Sequence, residues 1–122
     1  MLRIFKKTLV IISSLASNMF ENTSYGCMKY VRVQSEEKLK EIINSYDKAV
    51  SYIRHPATVA YLKSLRADIE FVSDPMAVYK YAGEDLLTIG LSKRPPKEGA
   101  VDVEVKGFED LAMMWWYEVP CL

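Results

Sequence analysis

Residues 113–119 read Met-Met-Trp-Trp-Tyr-Glu-Val, a run that is largely apolar at odd and even positions alike. Successive side chains of a strand point to opposite faces, so this strand has no polar face to offer water. Such a strand lies in the middle of a sheet or against a second subunit. It therefore commits the chain to several more strands and to helices that cover them. A chain of 122 residues has room for one domain, burying roughly two-thirds of its unfolded surface.

The other elements follow from turn signals and periodicity. Residues 8–13 carry β-branched Val10, Ile11 and Ile12 and end in a serine-rich turn, which predicts a first strand. Met28, Tyr30 and residues 31–33 predict a second. Ser35 followed by Glu36 and Glu37 opens a helix, because a hydroxyl cap and early acids suit its positive end. Leu39, Ile42, Ile43 and Tyr46 recur at helical spacing and carry that amphipathic helix to Tyr46. Residues 47–52 lead into a second helix, which starts at Pro56 and fades near Arg66. Residues 77–81 and 86–91, separated by Ala82-Gly83-Glu84-Asp85, read as a hairpin. Pro95 and Pro96 make residues 93–99 a loop. Residues 101–105 alternate as a short strand would, and 107–112 suit one or two helical turns. The order β, β, α, α, β, β, (β), α, β predicts a mixed α/β fold of the α+β kind, with about five strands in a mixed sheet flanked by helices.

Sixteen basic residues balance sixteen acidic ones, so no overall field draws in DNA or a membrane surface. A nucleic-acid ligand must then be small or held by a local cluster. Cys27 and Cys121 lack metal-ligand spacing, and a single histidine does not complete a zinc site, so no metal or other cofactor is expected. Nor do two cysteines make a disulfide framework, which points to reducing, intracellular surroundings. The N-terminus admits two readings. Arg3, Lys6 and Lys7 ahead of apolar residues 9–12 and small residues 13–17 imitate a secretory signal, while the same residues read as a buried first strand. The apolar part is too short to span a bilayer.

Three groups of polar residues stand out against this scaffold. His55, the one histidine, directly precedes Pro56, and proline favours the first position of a helix. The imidazole is thus held beside backbone donors of Ala57 and Thr58, where an anion such as phosphate would bind. Arg54 adjoins it. The loop after residues 86–91 brings Lys93, Arg94 and Glu98. Ser13, Ser14 and Asn18 follow the first strand. Each has a plainer explanation: His55 as a helix cap, the basic loop as a solvated turn, the serines as turn formers.

Together these segments resemble the viral ring nucleases, the type III anti-CRISPR proteins of archaeal viruses and phages. Ser51-Tyr52-Ile53-Arg54-His55-Pro56-Ala57-Thr58 is similar to that family's small residue, Ile, Gly, His, polar residue, small residue and Thr. Ile89-Gly90-Leu91-Ser92-Lys93-Arg94, followed by Glu98-Gly99, is similar to its strand ending in a polar residue and Arg, then Glu-Gly. The aromatic strand at 115–119 is the third likeness. The chain departs from the pattern at Arg54 (usually Gly), Pro56 (usually polar) and Ser13 (usually Asn). The resemblance implies cleavage of cyclic tetra-adenylate without metal, leaving 2′,3′-cyclic phosphate ends and silencing host type III CRISPR signalling. It implies His55, Arg94 and Glu98 as catalytic residues. Ser13, Ser14, Asn18, Arg54, Ala57, Thr58 and Lys93 would bind ligand, with Asn18 and Tyr52 near the adenines. It also implies a homodimer in the host cytoplasm, with the first strand a strand and not a signal. Residues 113–119 are a candidate dimer surface.

The implied chemistry suits these residues. RNA breaks itself when a ribose 2′-OH attacks the neighbouring phosphate, and an imidazole with a pKa of about 6.5 can protonate the leaving oxygen. Arginine offers a planar fork of donors to the crowded phosphorane. A second expectation, from a different class, is a protein that binds a cyclic nucleotide or other nucleic acid without cutting it.

Overall fold

The structure, a computed structural model, describes residues 6–13, 29–74, 77–80, 83–91 and 105–118. Strand β1, Lys6–Ile12, lies in the interior of a six-stranded sheet. The other elements are β2 (Lys29–Arg32), α1 (Glu36–Asn44), β3 (Tyr46–Ser51), α2 (Pro56–Leu65), β4 (Glu70–Phe71), β5 (Asp85–Leu91) and β6 (Leu111–Glu118), with a 3-10 turn at Phe108–Asp110. The strand order is β2-β6-β5-β1-β3-β4. Strands β5, β1, β3 and β4 run parallel, while β6 is antiparallel to both β5 and β2. This is the predicted mixed sheet, with one strand more than expected among the described residues. Residues 113–118 of the apolar run fall on β6, which has a strand on each side, in the middle of the sheet.

Alternation along β1 divides the core. Leu9 and Ile11 face one way and join Leu39, Ile42 and Ile43 of α1 and Leu62 of α2. Val10 and Ile12 face the other way, against Leu86 and Tyr79. Both helices thus cover one face of the sheet. The chain crosses from β3 to β4 over that face through α2, then returns from β4 to β5 with Tyr79 under the opposite face. Opposite travel on opposite faces gives the two crossovers one hand, as parallel connections require.

Helix α1 opens where the sequence predicts, with the Ser35 hydroxyl accepting the Lys38 N–H at 3.1 Å. It closes earlier than predicted. Ser45 caps it with both its N–H and its hydroxyl on the Ile42 carbonyl, and Tyr46 begins β3 instead of ending the helix. Residues 47–52 are therefore not a lead into α2 but mostly a parallel strand paired to β1. Arg66, at the end of α2, fixes this junction. Its guanidinium donates to the carbonyls of Ile43, Tyr46 and Asp47, and to the Asp68 carboxylate at 2.6 Å. That donor fork holds the Asp68 carboxyl below its usual range.

The predicted hairpin of 77–81 with 86–91 does not form. Strand β5 has β1 on one side and β6 on the other, so no edge remains for residues 77–80 to pair with. They instead lie across the face of Val10 and Ile12. The 3-10 turn accounts for part of the helical stretch predicted at 107–112. The short strand predicted at 101–105 falls almost wholly outside the described residues, as do Cys27 and Cys121.

Between β5 and β6 the register shifts between Thr88 and Gly90. The Thr88 hydroxyl accepts the Trp115 N–H at 3.2 Å, replacing a backbone ladder bond. Met113 takes φ +50° there, and a side chain on Gly90 would meet the Ala112 carbonyl oxygen at 3.2 Å. A glycine is what lets the two strands come together across the bulge.

Candidate functional site

Parallel strands bring their carboxyl ends to one edge, and in open α/β sheets ligands bind beyond that edge where successive crossovers leave in opposite directions. Here the crossovers diverge between β1 and β3: β1 leads to β2, beyond β5 and β6, while β3 leads the other way to β4. Ser13 follows the end of β1 and is exposed. His55 follows β3, and Arg94 follows the end of β5 by three residues. With adjacent strands about 4.8 Å apart, β3 and β5 stand roughly 10 Å apart on either side of β1. The three strands preceding the three sequence-predicted groups are therefore neighbours with a common direction. Ser14, Asn18, Lys93, Arg94 and Glu98 themselves lie outside the described residues.

The turn after β3 is built by its own polar groups. Ser51 is fully buried, and its hydroxyl accepts the Ile53 N–H at 3.1 Å. The Tyr52 N–H donates to the Ile11 carbonyl at 2.9 Å, extending the parallel ladder one residue past the strand. Arg54 is exposed, and one guanidinium nitrogen donates to the carbonyls of Asp74 and Ala77 at 2.6 and 3.0 Å. It thus clamps the returning β4–β5 connection, while Tyr52 meets Tyr79 edge to face at 5.5 Å. The position expected to touch ligand is occupied in part by this structural contact.

His55 caps α2. Its Nδ1 accepts the Thr58 N–H at 3.3 Å and lies 2.8 Å from the Thr58 hydroxyl oxygen. Both contacts are satisfied together when Nδ1 is bare and the ring proton sits on Nε2. The His55 backbone carbonyl accepts the Val59 N–H at 2.9 Å. Pro56 has no N–H, and the Thr58 N–H is taken by the imidazole, so the first turn offers an anion fewer donors than the sequence predicts. Ala57, half-buried, keeps its place at the helix start. Thr58 is buried, and its hydroxyl holds the ring's orientation. Nε2 is buried and has no hydrogen-bond partner among the described residues. A buried nitrogen left this way costs free energy unless something arrives to meet it. The His-x-x-Thr spacing, cap to third helical residue, was the sequence signal for this pairing.

Among the described residues no three histidine, cysteine or carboxylate side chains gather closely enough to hold a metal ion. A cavity of about 340 Å³ lies elsewhere, lined by Arg32, Gln34, Phe108 and Met113 among others, and not by His55. No helix among the described residues is long and apolar enough to cross a membrane. A comparison of the chain with protein-family models and with curated proteins finds no match.

Proposed function

We propose that the carboxyl edge of β1, β3 and β5 is the active site of a metal-independent ring nuclease. It would open cyclic tetra-adenylate to linear products with 2′,3′-cyclic phosphate ends and so suppress host type III CRISPR signalling. The observation that carries this reading is the His55 imidazole, fixed at Nδ1 by Thr58 and unpartnered at Nε2 among the described residues, at the edge where parallel sheets bind ligands.

In this reading the ribose 2′ oxygen attacks the adjacent phosphorus, a P–O2′ bond forms and the P–O5′ bond breaks. His55 enters as imidazolium, gives up the Thr58 N–H contact so that its Nδ1–H donates to the Thr58 hydroxyl, and passes the Nε2 proton to the departing 5′ oxygen. Arg94 offers its donor fork to the phosphorane oxygens, and Glu98 orients a partner or takes the 2′-OH proton. A ring of four identical nucleotides has two-fold symmetry and suits a pocket shared by a homodimer in the host cytoplasm. Ser13, Ser14, Asn18, Lys93 and the exposed part of Arg54 would line that pocket.

Cleavage of labelled cyclic tetra-adenylate in EDTA tests the reading. His55→Ala should slow cleavage by about 10²- to 10⁴-fold while binding is kept. Cleavage by His55→Ala at the wild-type rate, or a wild type that neither binds nor cuts, would overturn it. A second reading, capture of the nucleotide without cleavage, is favoured by the cap itself, since Nδ1 is already engaged by the Thr58 N–H in closing the helix start. Wild-type binding with no cutting would select it.

A further inference from the structure

Strands β2 and β6 pair so that Tyr30 stands opposite Tyr117 and Arg32 opposite Trp115. On the helix-covered side of this ribbon, Val33, Met114 and Trp116 are buried. On the other side, alternation puts Tyr30, Arg32 and Gln34 beside Met113, Trp115 and Tyr117. A sheet face turned to water is ordinarily polar. This one has Tyr30 at 63 % exposure and Met113 at 75 %. Tyr30 meets Trp115 edge to face at 5.6 Å and Tyr117 at 6.1 Å, so the three rings form one aromatic platform. Arg32 and Gln34, both exposed, continue it into the cavity of about 340 Å³. Asp110, in the turn that precedes β6, accepts the Lys106 N–H.

We propose that this face binds single-stranded nucleic acid, with bases stacking on Tyr30 and Trp115, a phosphate on Arg32 and a base edge on Gln34. Aromatic rings on an open sheet stack two or three bases in this manner, and an arginine fork suits phosphate oxygens. A carboxamide matches the paired donor and acceptor on a base edge. The size of the patch separates this occupant from a second copy of the chain. Among the described residues the patch is six side chains on two strands, well short of the about twenty residues a side that a stable self-association uses. The proposal does not depend on the His55 site.

Fluorescence polarisation with a labelled eight-nucleotide RNA of mixed sequence, and quenching of tryptophan emission, measure the binding. Tyr30→Thr keeps a strand-forming residue and Arg32→Ala removes only an exposed side chain, so both should fold. Tyr30→Thr should weaken binding by about five- to a hundredfold. Arg32→Ala should also reduce the salt dependence by about 0.7 in log–log slope. Both effects should persist in a His55→Ala background, and a duplex of the same sequence should bind more weakly. No RNA binding, binding that neither variant changes, or a loss of self-association in the variants by light scattering would each overturn the proposal.

Discussion

Two polar clusters are buried at opposite ends of the same parallel strands, and they are finished differently. At the amino end, the Trp116 indole N–H donates to the Tyr46 hydroxyl at 2.9 Å, which donates to the Asp85 carboxylate at 2.5 Å. All three residues are buried under α1, whose Lys38 ammonium lies 5.6 Å above the Trp116 ring. At the carboxyl end, the His55 ring has one nitrogen matched and, among the described residues, one unmatched. A chain of matched groups joins β3, β5 and β6 and specifies how they meet. A cluster left open carries a cost that a folded structure keeps only where something else supplies the missing partner. The first therefore reads as architecture and the second as the place to look for chemistry.

The sharpest way to break this contrast is at Tyr46. Tyr46→Phe leaves the shape but deprives Asp85 of a donor and Trp116 of an acceptor, and should cost about 2 kcal/mol in denaturant unfolding. A change below about 0.5 kcal/mol would show that the amino-end chain is not a structural unit. Alkaline pH should reach the same cluster. Burial, then the hydrogen bond to Asp85, pushes the ionisation of Tyr46 well up; burial, then Glu36, does the same for Tyr61. The folded state thus holds these protons more tightly than the unfolded chain. Stability should be undiminished below the unfolded tyrosine value of about 10 and fall as pH rises through it. Burial raises Tyr117 as well, and each tyrosine contributes a slope of up to about 1.4 kcal/mol per pH unit, of which Tyr46→Phe should remove its own share.

The two ends also differ in how much the sequence discloses. The carboxyl-end pieces announce themselves locally: His55 before Pro56, and Thr58 three residues on, form a cap whose parts are neighbours in the chain. The Ser35 cap of α1 is local in the same way. The amino-end cluster joins residues 46, 85 and 116, and no window of sequence contains them together. Tyr46 even sits at helical spacing from Ile42 and Ile43, so periodicity alone assigns it to the wrong element. Strand β3 was hidden because Asp47 and Lys48 interrupt its apolar positions, and β4, two residues long, has no pattern at all. The missing hairpin has a similar cause. Residues 77–81 have strand-like composition, but both neighbours of β5 were already assigned by pairings made elsewhere in the chain.

Smaller effects are expected at His55, and they separate its two jobs. His55→Ala removes the cap and should destabilise the protein by about 1 kcal/mol. Thr58→Val keeps the branched shape, removes the hydroxyl beside Nδ1 and should cost about 0.5–1.5 kcal/mol by the same measurement. In the catalytic reading that variant should also shift the pH profile of cleavage, because the ring loses the group that accepts its Nδ1–H; a purely structural hydroxyl would leave the profile in place.

His55→Asn should have the smallest effect on stability, within about 0.5 kcal/mol of wild type, because asparagine is among the best helix caps and its side-chain oxygen can take the Thr58 N–H. It cannot offer a titratable donor where Nε2 stands. If the open end is built for chemistry, His55→Asn is a folded protein that has lost cleavage, and it is cleaner than His55→Ala because no change in folding accompanies the loss. If His55→Asn instead cleaves as wild type does, the imidazole is a cap and nothing more, and the unmatched nitrogen at the carboxyl end is an accident of packing.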